Sequence, residues 1–172
     1  MFHEFVRVIL ADFETFFQRV KIPSMQKRNI FLGGAIAGIV FFDVVSKYLV
    51  QKFLFTPVEV LPILKLELTK NPNLAFGIPF PRVLTILLSV LAIIFFGNLF
   101  VKNVKKNSKI GLAAFGLILG GAIGNLGERI FFGQVTDFIA LLTIPNFNLA
   151  DTALTIGVIL LIIFHSKIFT KV

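Results

Sequence analysis

Four apolar stretches limit what this chain can fold into. They run over roughly 30–50, 83–101, 110–126 and 150–165, with few charges in any of them. A helix needs about 20 such residues to cross a bilayer core, within a range of roughly 17–25. Backbone groups in hydrocarbon must satisfy one another, which favours helices over open strands. The expected fold class is therefore an all-α polytopic membrane protein with four transmembrane helices. A mean hydropathy of +0.92 and 56% hydrophobic residues agree with that class. At 172 residues there is material for one small bundle. We divide the chain into a cytoplasmic amphipathic segment over 1–28 and a single membrane domain over 29–172.

The polar residues are distributed unevenly around these stretches. The net charge is +8, and most basic residues sit in short connections. There they set topology and meet anionic lipid, so nucleic acid is not the expected partner. Four spans place both termini on one side. That side collects Arg7, Arg19, Lys21, Lys27, Arg28, the lysines 102, 105, 106 and 109, and Lys167 and Lys171. The other side carries Lys47, Lys52, Lys65, Lys70, Arg82 and Arg129. The positive-inside rule makes the richer side cytoplasmic. Asp43, Asn71, Asn125, Glu128, Arg129, Asp137, Asn148 and Asp151 then gather at the extracytoplasmic face.

Residues 1–22 place Phe2, Phe5, Val6, Ile9, Phe13, Phe16 and Phe17 on one helical stripe, with charges elsewhere. Such a helix lies in the membrane interface or docks on the bundle. Gly34 and Gly38, one turn apart in the first span, are expected to admit a close neighbour. Asp43 and Lys47 share a helical face and can simply pair. Leu64 to Thr69 alternates apolar and polar residues, and 58–61 can form its hairpin partner with Pro62 at the turn or an edge. This predicts a small β-ribbon that delivers Asn71-Pro72-Asn73. The asparagines can bind a peptide backbone or form a plain Asn-Pro turn. The third stretch is rich in glycine and alanine and is the expected central helix.

The outer polar set has restricted chemistry. There is no cysteine, hence no thiolate nucleophile or disulfide. Both histidines, His3 and His165, fall on the cytoplasmic side. Ser46 and Lys47 are adjacent and point apart on a helix, so they make a poor nucleophile and base. No metal and no cofactor is expected, because Asp137, Asp151 and Glu128 supply too few ligands. Two carboxylates that share one proton fit the inventory best. Each polar residue also has a plainer role. Asp151 can be an N-cap, Asp137 a solvated loop acid, Glu128 and Arg129 an interfacial ion pair or snorkelling groups, and Asn125 a link between helices.

Five motifs in chain order resemble those of lipoprotein signal peptidase, the type II signal peptidase of bacteria. They are Asp43-Val44-Val45-Ser46-Lys47, Asn71-Pro72-Asn73-Leu74-Ala75-Phe76-Gly77, Gly124-Asn125-Leu126-Gly127-Glu128-Arg129, Val135-Thr136-Asp137-Phe138-Ile139 and Phe147-Asn148-Leu149-Ala150-Asp151-Thr152-Ala153. The resemblance spans about 43–157. It implies an aspartic endopeptidase that removes the signal peptide from diacylglyceryl-cysteine-modified prolipoproteins. Its partners would be those precursors and membrane lipid. It implies that Asp137 and Asp151 are the catalytic pair. Asn71, Asn125, Arg129 and Asn148 would hold substrate or order the pair, and Asp43 would support the site with Lys47 positioning it. Glu128 and Ala150 lie inside the motifs without an assigned role. Glu128 stands where the family usually has Asp, Asn73 replaces a glycine, and two outer segments are shorter than usual.

The expected location is the bacterial inner membrane, multi-pass, with the active site at the extracytoplasmic face. Residues 1–22 lie outside the resemblance and are expected to meet a cytoplasmic-side partner or a lipid surface. The alternatives are a non-catalytic membrane protein that binds lipoprotein precursors on the same fold, and a small transporter in which Asp43 carries a proton or ion.

Overall fold

Small residues make the third apolar stretch the centre of the molecule. The structure is a computed structural model that describes residues 24–73, 80–105, 107–142 and 144–170. Its elements in order are α1 (Ser24–Phe53), β1 (Val58–Leu61), β2 (Leu64–Asn71), α2 (Arg82–Asn103), α3 (Lys109–Phe132), β3 (Val135–Leu141), β4 (Ile144–Phe147), α4 (Leu149–Ile163) and α5 (His165–Ile168). The amphipathic helix expected over 1–22 lies outside the described residues.

α3 touches α1 and α4 almost backbone to backbone. A Cβ on Gly116 would sit 2.7 Å from the Ala35 Cβ, and one on Gly120 would sit 2.7 Å from the Ile39 Cβ. A Cβ on Gly121 would collide with the Ala150 carbonyl oxygen. One on Gly157 of α4 would lie 2.7 Å from the Ala114 carbonyl oxygen. Dispersion at such close range holds helices together where lipid provides no hydrophobic drive. The close contacts come from α3, not from the glycines of α1 as the sequence suggested. Gly34 and Gly38 have no neighbouring atom within 4 Å of an added Cβ. Ala35 and Ile39, on an adjacent face, make the crossing instead.

α2 covers a third flank of α3 with aromatic rings. Phe96 and Phe100 meet the fully buried Phe115 at centroid distances of 6.3 and 5.4 Å. The buried Arg28 guanidinium lies 4.7 Å above the Phe100 ring. At this end the chain closes on itself. Lys105 N–H donates to the Ile168 carbonyl and Thr170 N–H to the Asn103 carbonyl, both at 2.9 Å.

The opposite end is polar. α3 runs on past its expected end near 126, so Glu128 and Arg129 are helical. It stops at Gly133, whose φ of +75° suits a residue without a Cβ and lets its N–H reach the Arg129 carbonyl. Arg82 of α2 donates to the carbonyls of Arg129 and Ile130 at 3.2 and 3.0 Å. Those are carbonyls that a helix end leaves without internal partners.

The expected ribbon forms, with Val58 opposite Leu66 and Pro62 in the turn. It is half of a larger sheet. β3 pairs with β2, placing Asp137 opposite Thr69 and Val135 opposite Asn71, and β4 pairs with β3. The strand order is β1-β2-β3-β4, antiparallel throughout. A lone hairpin is marginal in water, and two added strands remove that weakness.

Three helical segments, Lys27–Phe53, Arg82–Asn103 and Lys109–Phe132, are long and apolar enough to cross a membrane. The fourth expected span is a shorter apolar helix of 15 residues, about 22 Å at 1.5 Å per residue. It breaks at Phe164 before the short α5.

The helix contacts yield a test. Gly121→Ala should destabilise the bundle by about 1–3 kcal/mol through overpacking. Gly33→Ala, in open space, should be neutral or gain up to about 1 kcal/mol of helix propensity. Thermal unfolding of the purified protein in detergent reads both. Equal melting temperatures would show that α3 and α4 do not touch at Gly121.

Candidate active site

The polar end is built on Lys47, which α1 carries one turn after Asp43. Both side chains are buried, Asp43 at 0% and Lys47 at 2% exposure. The ammonium is a three-proton donor and meets three acceptors. Asp43 Oδ2 lies at 2.7 Å, Asn125 Oδ1 at 2.9 Å and Glu128 Oε2 at 3.0 Å. The plain pairing of Asp43 with Lys47 is therefore present, within a larger set. Gly124 leaves room for it, since a Cβ there would lie 2.8 Å from Asp43 Oδ2. Ser46 turns away and donates to the Asp43 carbonyl at 2.8 Å.

Each partner of Lys47 reaches a different element. The other oxygen of Asp43 accepts the Ala150 N–H at 3.0 Å, which is how Ala150 enters the site. Asn125 donates to Asp151 Oδ1 at 2.8 Å and accepts from Asn148 at 3.1 Å. Glu128 accepts the N–H of Thr136 at 2.8 Å and its hydroxyl at 2.7 Å. Glu128 therefore pairs with Lys47 and holds β3, and among the described residues it forms no ion pair with Arg129.

Asp137 and Asp151 converge from different elements. Asp137 is 3% exposed within β3, so it is not a solvated loop acid. Its Oδ1 accepts from Asn148 Nδ2 at 2.7 Å and its Oδ2 from Asn71 Nδ2 at 3.1 Å. Asn71 also accepts the Asn73 N–H at 2.9 Å. The Asn-Pro turn and the contact with Asp137 are thus made by one side chain. Asp151 is not the N-cap of α4. Asn148 is, with its Oδ1 accepting the Asp151 N–H at 2.9 Å. Asp151 is the reciprocal member of the capping box and accepts the Asn148 N–H at 3.3 Å. The Asn148 amide therefore touches both carboxylate-bearing residues.

Both carboxylates line one cavity of about 470 Å³, together with Asn71 and Arg129. The remaining wall is mostly apolar and includes Val135, Leu141, Phe147 and Leu154. Such a cavity suits an extended apolar peptide whose backbone is met by a few polar groups. Burial pushes the Asp137 carboxyl up from 3.8 to about 6. The hydrogen bond from Asn71 opposes that rise, and the negative charge of Asp151 adds to it. Two close carboxylates in a dry site resist joint ionisation and so retain one proton between them. Among the described residues, no three His, Cys, Asp or Glu side chains group as a metal site requires.

Three contributors were not singled out from the sequence. Thr136 takes both oxygens of Glu128 and also a 2.8 Å bond from Lys70. Arg82 caps α3 beside Arg129. Their only signal was position, next to Asp137, next to Asn71 and after Pro81. His165 lies against Phe169 at the far end, with ring centroids 4.9 Å apart, and takes no part.

Two measurements follow from this geometry. Lys47→Met leaves the buried Asp43 and the half-buried Glu128 without their cation and should cost roughly 3–5 kcal/mol. Lys65→Met, on the exposed Glu59 pair, should leave the melting temperature unchanged. Similar losses in both would show that Lys47 is not a buried hub. The second test uses Asp137. Its folded-state value is raised, so between about pH 4 and 6 the folded chain keeps a proton that the unfolded chain has lost. The cost of the carboxylate is full above about pH 6 and fades as pH falls toward about 4. Asp137→Asn should therefore melt higher than wild type near pH 8, by roughly 1–3 kcal/mol, with the gap closing as the pH falls. A gap that stays constant from about pH 8 to about pH 4 would contradict the raised value.

Residues 35–167 match the family described as signal peptidase (SPase) II. The lipoprotein signal peptidase of Aquifex aeolicus is 38% identical over 161 residues, 87% of this chain and 93% of that protein. The one from Chlorobaculum tepidum is 41% identical over 120 residues, 63% of this chain and 74% of that protein. Two solved structures, each described as a bacterial membrane enzyme, are 31% identical to this chain. They superpose with TM-scores of 0.72 and 0.69, over 79% and 77% of this chain and 87% and 90% of theirs. On the family match across most of its length, this chain belongs to the signal peptidase II family.

Proposed function

We propose that the chain removes signal peptides from prolipoproteins by water attack, with Asp137 and Asp151 as the catalytic pair. The observation that carries this reading is the convergence of the buried Asp137 and the half-buried Asp151 on one mostly apolar cavity, each carboxylate held by asparagine amides. One carboxylate is ionised and takes a proton from the attacking water. The other is protonated and donates to the oxygen of the scissile carbonyl. Asn148 and Asn71 fix the Asp137 carboxyl, and Asn125 fixes Asp151. Arg129 and the free capacity of the asparagines meet the substrate backbone. Asp43, Lys47, Glu128 and Ala150 act behind the pair and set where α4 and β3 begin. The scissile bond lies on the N-terminal side of a diacylglyceryl-modified cysteine.

The membrane arrangement follows from charge. Lys27, Arg28, Lys102, Lys105 and Lys109 cluster at the end where the α2–α3 connection meets α5. Both termini are then cytoplasmic, and the sheet and site are extracytoplasmic. In this arrangement α4 completes a four-helix inner-membrane bundle, its short length matched by the polar cap over its N-terminus. Residues 29–172 act as one peptidase domain, and residues 1–28 meet a cytoplasmic-side partner or the lipid surface.

The test is cleavage of a diacylglyceryl-modified precursor by the purified chain in detergent. Asp137→Asn and Asp151→Asn should each lower turnover by about 10²–10⁴-fold or more while the protein still melts cooperatively. Either variant cutting at the wild-type rate would remove the pair from the mechanism.

A further inference from the structure

A second cavity opens on the other flank of α3. It lies between α1 and α3, holds about 850 Å³ and shares no lining residue with the Asp137–Asp151 cavity. Its walls are apolar, with Val40 and Val44 on α1 and Ile123, Phe131 and Phe132 on α3. Phe131 and Phe132 are 79% and 72% exposed, so the cleft opens sideways, toward lipid for a helix that crosses a bilayer. Its sheet end is polar and basic, with Lys52, Lys70, Gln51 and Tyr48.

Charge indicates the occupant. Of the three lysines in the lining, Lys47 is already matched by Asp43 and Glu128. Glu128, the one carboxylate in the lining, is held by Lys47 and Thr136. Among the described residues, Lys52 and Lys70 form no ion pair. Lys70 bonds only neutral oxygens among the described residues, those of Gln51 at 2.6 Å and Thr136 at 2.8 Å. Lys52 lies 5.6 Å from the Tyr48 ring and within 3.4 Å of its hydroxyl, again neutral. Two ammonium groups that meet no carboxylate among the described residues, above an apolar, laterally open cleft, match a molecule with an anionic head and hydrocarbon tails.

We propose that the α1–α3 cleft binds one anionic phospholipid, with its phosphodiester on Lys52 and Lys70 and its acyl chains along Val44 and Phe131. The proposal rests on membrane residence of α1 and α3 and not on the peptidase reading, so either can fail alone. Gly127 offers a direct way to block the cleft. It lines the cavity, and an added Cβ there meets nothing within 4 Å. A larger side chain therefore fills the cleft without disturbing the helix, where glycine is a weak former.

The test is native mass spectrometry of the full chain in delipidated detergent, with phosphatidylglycerol and phosphatidylcholine of matched chains. Wild type should retain one phosphatidylglycerol with a preference of about thirtyfold, roughly fivefold for each lysine near an anionic headgroup. Lys52→Gln with Lys70→Gln should bring the preference close to unity while phosphatidylcholine still binds. Gly127→Leu should lose both lipids with its melting transition intact. Lys65→Gln, on the exposed face of β2, should change nothing. Equal retention of the two lipids by wild type would overturn the proposal. So would a Lys65→Gln loss as large as that of the double variant, or full lipid retention by a folded Gly127→Leu protein.

Discussion

The polar end of this protein depends on keeping one ammonium group out of water. Removing a charge from water costs several kcal/mol even after relaxation, and the cost is offset only when every proton has a good acceptor. Lys47 meets that condition with acceptors on two helices. Those acceptors then continue outward, from Asp43 to the backbone of Ala150, from Asn125 to Asp151, and from Glu128 to Thr136. The start of α4, the side chain of Asp151 and the strand of Asp137 are thereby referred to a single atom. Neither aspartate touches Lys47, yet both take their position from what it holds.

The hub works only because the helices come close enough for short side chains to span them. Asp and Asn reach little beyond their own backbone. Gly121 lets the first turn of α4 rest on α3, and Gly124 leaves space for the Asp43 carboxylate. Larger residues at these places would push α4 outward, and the Asp43–Ala150 and Asn125–Asp151 bonds would open. Apolar packing at glycine and polar geometry at the carboxylates are thus parts of the same fit.

Much of this was legible in the sequence, and the exceptions have physical reasons. Three long apolar helices were visible because a bilayer demands long apolar runs, and the β1–β2 hairpin was visible from alternation before and after Pro62. The other half of the sheet was not. β3 is held by pairing with β2, more than sixty positions earlier in the chain, and such pairing leaves no local trace. The role of Asp137 was therefore left open between one of a carboxylate pair and a solvated loop acid. Glu128 beside Arg129 suggested an ion pair. On a helix, adjacent side chains diverge, and Glu128 found Lys47 on another element. The glycines of α1 matched a packing motif, but a motif does not say which face a neighbour will use. The candidate site residues were named from their motifs, whereas Thr136 and Arg82 act through geometry that only the fold creates.

Asn148 serves two structures at once. It closes the first turn of α4, and it donates to the carboxylate that β3 presents. Fraying at the start of that helix would thus release Asp137 in the same event. An opening too small to register as unfolding would scatter the two acids. Loss of alignment at the site and the onset of melting then share one molecular origin, and local order at a single helix terminus becomes a measure of whether the pair is assembled.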